Sequence, residues 1–137
     1  MGLYLCIFDE HDEDVDGVEV GSYADFAELR DYLVGELEGG EAGARFPTLN
    51  LHSDCDGEWS PGECERLRAE LHEIAEALRT RPAIPFTGWH QQVARSLGLV
   101  ARDAFESFID VDGEPLIGRM QALVDKALRL GRPIVFQ

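Results

Sequence analysis

Six consecutive apolar residues, Leu3–Phe8, stand between Gly2 and an acidic run. Their β-branched and aromatic members predict a strand buried on both faces, near the middle of a sheet. Asp9–Gly17 reads as a polar loop, after which Val18–Val20 can return as a short strand. Ser22 followed by Asp25 forms a capping-box pattern, and Phe26, Leu29, Leu33 and Leu37 repeat on one helical stripe. Gly35 weakens the last turn of that helix, and Gly39-Gly40 ends it. Thr48–His52 alternates Leu49 and Leu51 with polar neighbours, which predicts a strand with one covered face.

The clearest helix start is Ser60, with Pro61 at the first helical position and Glu63 two residues further on. Cys64, Leu67, Leu71, Ile74 and Leu78 then fall on one face, with Glu65, Ala69, Glu73 and Glu76 on the other. Pro82 and Pro85 enclose a turn, and Thr87 is placed to cap a shorter helix ending near Leu97. Phe105–Ile109 suits a strand or a helix, and strand is the reading adopted. Asp112 or Gly113 opens a last helix with Leu116, Met120, Leu123 and Ala127 on one face. Gly131 stops it, and Pro133–Phe136 closes the chain as a strand. The order predicts an α+β fold: a mixed β-sheet of about three to five strands with three to four helices packed on it. No linker composition divides residues 1–137, so a single domain is expected.

Composition changes this picture in one respect. The 137 residues hold 12 Lys+Arg and 27 Asp+Glu, a formal net charge of −15, alongside an ordinary 45% hydrophobic content. Wholesale disorder is therefore excluded, and so is electrostatic binding to nucleic acid or an anionic membrane. The imbalance is local: residues 1–58 carry 16 acids and 2 bases (Arg30 and Arg45), and the remainder 11 acids and 10 bases. A salt-adapted surface would be acidic throughout, so the asymmetry points to a basic partner.

No apolar run is long enough to span a bilayer, and Leu3–Phe8 lacks the flanks of a secretory signal. Cys6 stands where a myristoylation motif at Gly2 would need Ser or Thr. Cys6, Cys55 and Cys64 form neither an even framework nor a C-x-x-C pair, and Cys6 and Cys64 read as small core residues. A reduced, cytoplasmic protein is expected.

Three segments share a D-x-D-G core: Asp14–Gly17, Asp54–Gly57 and Asp110–Gly113. Calcium loops use this spacing because alternate carboxylates converge on a hard cation while Gly permits the turn. None is complete here. The bidentate position after the first would be Tyr23, the first ligand of the second would be His52, and the third would begin at Phe108. Turn-forming Asp and Gly explain all three. His52, Cys55, Cys64 and His72 are zinc-type ligands without zinc spacing, and the helix at His72 lacks a second His where Glu76 stands. Ser96 lies in no nucleophile elbow, and four neighbouring acids would raise rather than lower the Cys55 pKa. No metal, cofactor or catalytic group is therefore expected. A small calcium- or metal-dependent binding module is the alternative class, and a small hydrolase a weaker one.

The segment Ser53–Pro61 stands out because Trp59 lies beside three carboxylates and directly before a capped helix. Trp59 at N′ suits a staple against Cys64 at N4, and a half-exposed Trp rimmed by acids suits an interface anchor. Trp89, at the start of the shorter helix, reads as core.

Taken together, GLYLCIF (Gly2–Phe8), VEVGSY (Val18–Tyr23), LHSDCDGEWSP (Leu51–Pro61), AFESFIDVDG (Ala104–Gly113) and Pro133–Gln137 resemble the immunity protein 70 family of bacterial polymorphic toxin systems. The resemblance covers essentially the whole chain and consists of matching segments rather than a catalytic signature. It implies an α+β cytoplasmic inhibitor that is not an enzyme, has no cofactor, and neutralises a cognate toxin encoded nearby. Many such toxins are nucleases with a basic cleft, which an acidic inhibitor can fill. Asp12, Glu13, Asp14 and Asp16, with Asp54, Asp56, Glu58 and Trp59, are the expected partner-binding surface. The premise is that both acidic loops follow strands and so lie at one end of the sheet.

Overall fold

In the computed structural model, which describes residues 2–137, the sheet is built around Gly2–Phe8 (β1). It pairs on one side with Asp14–Ser22 (β2) and on the other with Ile134–Phe136 (β4), which in turn holds Glu58–Trp59 (β3). The order β2-β1-β4-β3 puts the most apolar strand inside the sheet, as its composition requires. Every pairing is antiparallel instead of mixed. β1 and β3 run the same way but are held apart by β4, so no parallel pair forms. The helices are Tyr23–Leu37 (α1), Pro47–Asn50 (α2), Pro61–Arg79 (α3), Gly88–Leu97 (α4), Ala104–Ser107 (α5) and Leu116–Leu130 (α6). The α+β class is as expected, with four helices of ten residues or more.

The stripes of the longer helices bury against one side of the sheet. Leu3, Leu5 and Ile7 of β1, Val18 and Val20 of β2, and Ile134 and Phe136 of β4 share one core with the stripes of α1, α3 and α6. Alternation along a strand sends Tyr4, Cys6 and Phe8 to the other side, and all three lie outside that core. β1 is therefore covered by helices on one face only, not on both.

Local chemistry explains most elements. Ser22 and Asp25 complete a capping box on α1, and Ser60 and Glu63 complete one on α3, with Pro61 at its first turn. Gly98 and Gly131 end α4 and α6 in the left-handed conformation that favours glycine. Gly35 sits exposed inside α1 with nothing within 4 Å of an added Cβ. Gly35→Ala should raise stability by about 0.5–1 kcal/mol, because alanine loses less backbone entropy in a helix; a thermal melt checks this.

Four expectations are corrected. β2 begins at Asp14, not Val18, and Asp14, Val15 and Asp16 form an acidic edge strand of the kind that discourages pairing between sheets. Thr48–His52 is not a strand. Pro47–Asn50 is a helical turn whose Thr48 and Leu49 amides donate to the buried Glu70 carboxylate at 3.1 and 3.0 Å. Phe105–Ile109 is largely the helical turn α5, capped by Asp103, with only Ile109 bridging to Pro115. Finally, α6 starts at Leu116, because Asp112 and Gly113 belong to a turn tied to Asp110.

A second buried carboxylate fixes the chain after α1. Glu38 is 5% exposed and accepts from the amides of Arg45 and Phe46, both at 2.9 Å, and from the Asn50 side chain. Burial alone would push the Glu38 carboxyl up, but these donors outweigh it and hold it below its ordinary value of 4.5. A depressed carboxylate contributes its full stability above the unfolded-state value and loses it as the pH falls through the folded one. As the pH falls below about 5 the melting temperature of the native protein should therefore drop faster than that of Glu38→Gln.

Candidate functional site

The β1–β2 turn is ordered by Asp9, whose carboxylate accepts from the amides of His11 at 2.8 Å and Glu13 at 3.0 Å. Asp12 at its tip takes a left-handed conformation, φ 59°, which aspartate tolerates better than most residues. Asp12, Glu13 and Asp14 are exposed, and Asp16 is half-buried. Asp14 accepts from the Tyr4 hydroxyl at 2.8 Å, and Lys126 donates to Asp16 at 3.4 Å. At the base of the turn Arg132 donates to the carbonyls of Phe8 and Asp9.

The second acidic loop, 52–57, is closed by Ser53, which donates to Asp56 at 2.7 Å. The His52 ring stacks on Phe136 with centroids 4.2 Å apart, and its two nitrogens lie 2.8 and 2.9 Å from the carbonyls of Ser53 and Glu58. Asp54, Asp56 and Glu58 are exposed. Both bases of residues 1–58 are spent elsewhere. Arg30 donates to the carbonyls of Leu49 and His52 and covers the Phe26 ring. Arg45 donates to the Leu37 carbonyl and covers Phe46. Among the described residues neither forms a salt bridge with an acid of the two loops, although the Asp54 charge does act on Arg30.

The two loops do not share one end of the sheet. Cys6 faces Val135, and Val135 faces Glu58, so β3 runs alongside β1 in the same direction. Loop 52–57 enters β3 at its start, at the level of Leu5 and Phe136, where the Phe136 amide donates to the Gly57 carbonyl. The 9–13 turn leaves β1 at its other end. At about 3.3 Å per residue and 4.8 Å per strand, the two loops are separated by at least about 10 Å in each direction. The premise failed because the segment before loop 52–57 is a helical turn and not a strand.

Trp59 is enclosed, not half-exposed. It is 1% exposed, donates from its indole nitrogen to the Thr48 carbonyl at 3.0 Å, and meets the Phe136 ring edge-on at 4.7 Å. The Cys64 thiol donates to the Trp59 carbonyl, and both side chains lie in the one buried core, as the staple reading expects. Trp89 is half-buried, stacked on His90 and donating to Asp25, so it covers α1's first turn and is not core.

The alternative chemistries find little support. Asp14–Gly17 lies within β2, Asp54–Gly57 in an exposed loop, and Asp110 is spent on turn formation, accepting from the amides of Asp112 and Glu114 at 3.0 Å. Among the described residues no three His, Cys, Asp or Glu side chains are grouped to hold a metal ion. Cys6 and Cys64 are buried, and burial pushes both thiols up to about 11, the opposite of an activated nucleophile. A cleft of about 280 Å³ is lined by Asp25, Glu28, Phe86, His90, Ser107 and Phe108. There Asp25 serves the α1 cap, and the Ser107 hydroxyl donates to the Asp103 carbonyl while accepting from the Ile84 amide. No helix of the described residues is long and apolar enough to cross a membrane.

The geometry of the described residues is thus two separate, exposed acidic loops. No curated protein and no solved structure shows significant similarity to the chain. The family model described as immunity protein 70 matches residues 3–136, nearly the full length. The chain belongs to the immunity protein 70 family.

Proposed function

We propose that this protein binds and neutralises a cognate toxin domain of a bacterial polymorphic toxin system, in the cytoplasm and without catalysis or cofactor. The toxin is a basic domain, of the kind a nuclease needs, and the contact surface is acidic. Family membership supports the class of function. The observation that carries the surface is charge: 16 of the 27 acids fall in residues 1–58, and the only two bases there are engaged with backbone carbonyls. Asp12, Glu13, Asp14, Asp16, Asp54, Asp56 and Glu58 remain as its acidic members; Trp59 lies buried next to Glu58 in the chain.

Carboxylates facing a basic cleft stand where substrate phosphates would lie, and their field steers the encounter. The test is co-purification. A toxin C-terminal domain encoded by the adjacent gene should be retained by this protein and lose its activity at equimolar ratio. A toxin domain that stays fully active in saturating excess of this protein would contradict the reading.

A further inference from the structure

The sheet has one side without helices, and its composition is unusual for a solvated face. Cross-strand partners share a face, so the pairs Tyr4–Glu19, Cys6–Gly17, Cys6–Val135, Phe8–Asp14 and Val135–Glu58 all project away from the helices. Antiparallel sheets with a wet side normally make it polar. Here the two inner strands present Tyr4, Cys6, Phe8 and Val135, none of which joins the core beneath the helices. The Tyr4 ring lies flat over Gly17, so close that a Cβ there would stand 2.2 Å from it. That overlap and its own small size leave Cys6 with no exposed surface, while Tyr4, Phe8 and Val135 stay half-exposed. Around them Asp14, Glu19 and Glu58 are exposed.

Charge decides what this face can meet. No Lys, Arg or His stands in any of the four strands. The nearest bases serve the chain itself: Lys126 reaches Asp16 on the helix side, and Arg132 donates to the Phe8 and Asp9 carbonyls. A second copy docked here would set Asp14, Glu19 and Glu58 against the same three acids, and a nucleic acid would set phosphates against them. An apolar and aromatic centre inside a charged rim is the anatomy of a protein interface, and Tyr is among the residues that anchor one.

We propose that this uncovered face is where the toxin domain docks, with a cationic rim on the toxin meeting Asp14, Glu19 and Glu58 around a contact on Tyr4, Phe8 and Val135. The proposal rests on the immunity reading and adds the face. It also gives the two separated acidic loops a shared role, since they flank this face at opposite corners.

The test measures the affinity of the toxin C-terminal domain encoded by the adjacent gene for four proteins: native, Val135→Arg, Glu19→Lys and Glu76→Lys. Val135→Arg puts bulk and positive charge at the centre of the face, and Glu19→Lys reverses the rim at an exposed position that tolerates substitution. Glu76→Lys, on the solvent side of α3, is the control for net charge. Melting curves confirm that each variant is folded. At least tenfold weaker binding by Val135→Arg and Glu19→Lys, with Glu76→Lys within about twofold of native, is the expected result. If native binds and Glu19→Lys binds as tightly, the face is wrong and the immunity function stands. If native does not bind, the immunity reading fails and takes the proposal with it. A native dimer in sedimentation velocity that Val135→Arg dissociates would also overturn the proposal, because the face would belong to a second copy.

Discussion

Replacing Trp59 by alanine should lower the unfolding free energy by about 3–5 kcal/mol, the range for truncating a large buried aromatic side chain. The side chain is 1% exposed and is among the largest wholly buried groups in the molecule. Its ring fills the space between β3, Phe136 and His52, with centroids at 4.7 and 5.2 Å. Its indole nitrogen also satisfies the Thr48 carbonyl at the start of α2, so truncation leaves an empty cavity and an orphaned acceptor together. Domains of this size are stable by only ~5–15 kcal/mol, so such a loss is a large fraction of the whole. Urea titration followed by circular dichroism gives the number. Because the indole is enclosed, the fraction of Trp59→Ala that remains folded should bind its partner nearly as well as the native protein. An interface anchor would show the reverse: a small change in stability and a large loss of affinity.

The second large effect is kinetic. Asp12→Asn with Glu13→Gln removes exposed charge from the β1–β2 turn, and Asp54→Asn with Asp56→Asn removes it from loop 52–57. Each pair should slow association with a basic toxin domain by about threefold to tenfold, and both together by more, because a steering field acts before contact and sums over charges. Dissociation should change much less, since the two loops border the proposed contact instead of filling it. None of these four residues lies in the hydrophobic core, so the melting temperature should hold. Stopped-flow mixing separates the two rates.

How far the sequence could be read depended on where each element's partner lies. α1 and α3 were legible because their starts are local: Ser22 with Asp25, and Ser60 with Pro61 and Glu63, are complete within four residues. β1 was legible from its apolar run alone. Thr48–His52 was misread because its conformation is set by Glu70, some twenty residues ahead on another helix, whose carboxylate takes two of its amides. Asp14–Gly17 was misread because acidic residues are poor strand formers, yet an edge strand needs only one partner and β1 supplies it.

The acids of the candidate site could be named from their clustering, but their arrangement could not. Which end of the sheet a loop occupies follows from strand direction, and β3 is a two-residue strand that leaves no periodic signal. The local pattern at Trp59 favours a staple over an interface anchor, but its enclosure is a property of Phe136 and Thr48, which no local pattern ties to it. The uncovered face gave no sign in advance, since six apolar residues in a row do not say that one side will lack helices.

The central claim is that the acidity of residues 1–58 serves capture of a cationic partner. The most direct test is the association rate constant of the native protein with its toxin domain, measured from about 10 mM to about 500 mM salt. A fall of at least tenfold across that range, with a dissociation rate that moves little, is the result the charge distribution predicts. An association rate that is flat with salt would contradict it.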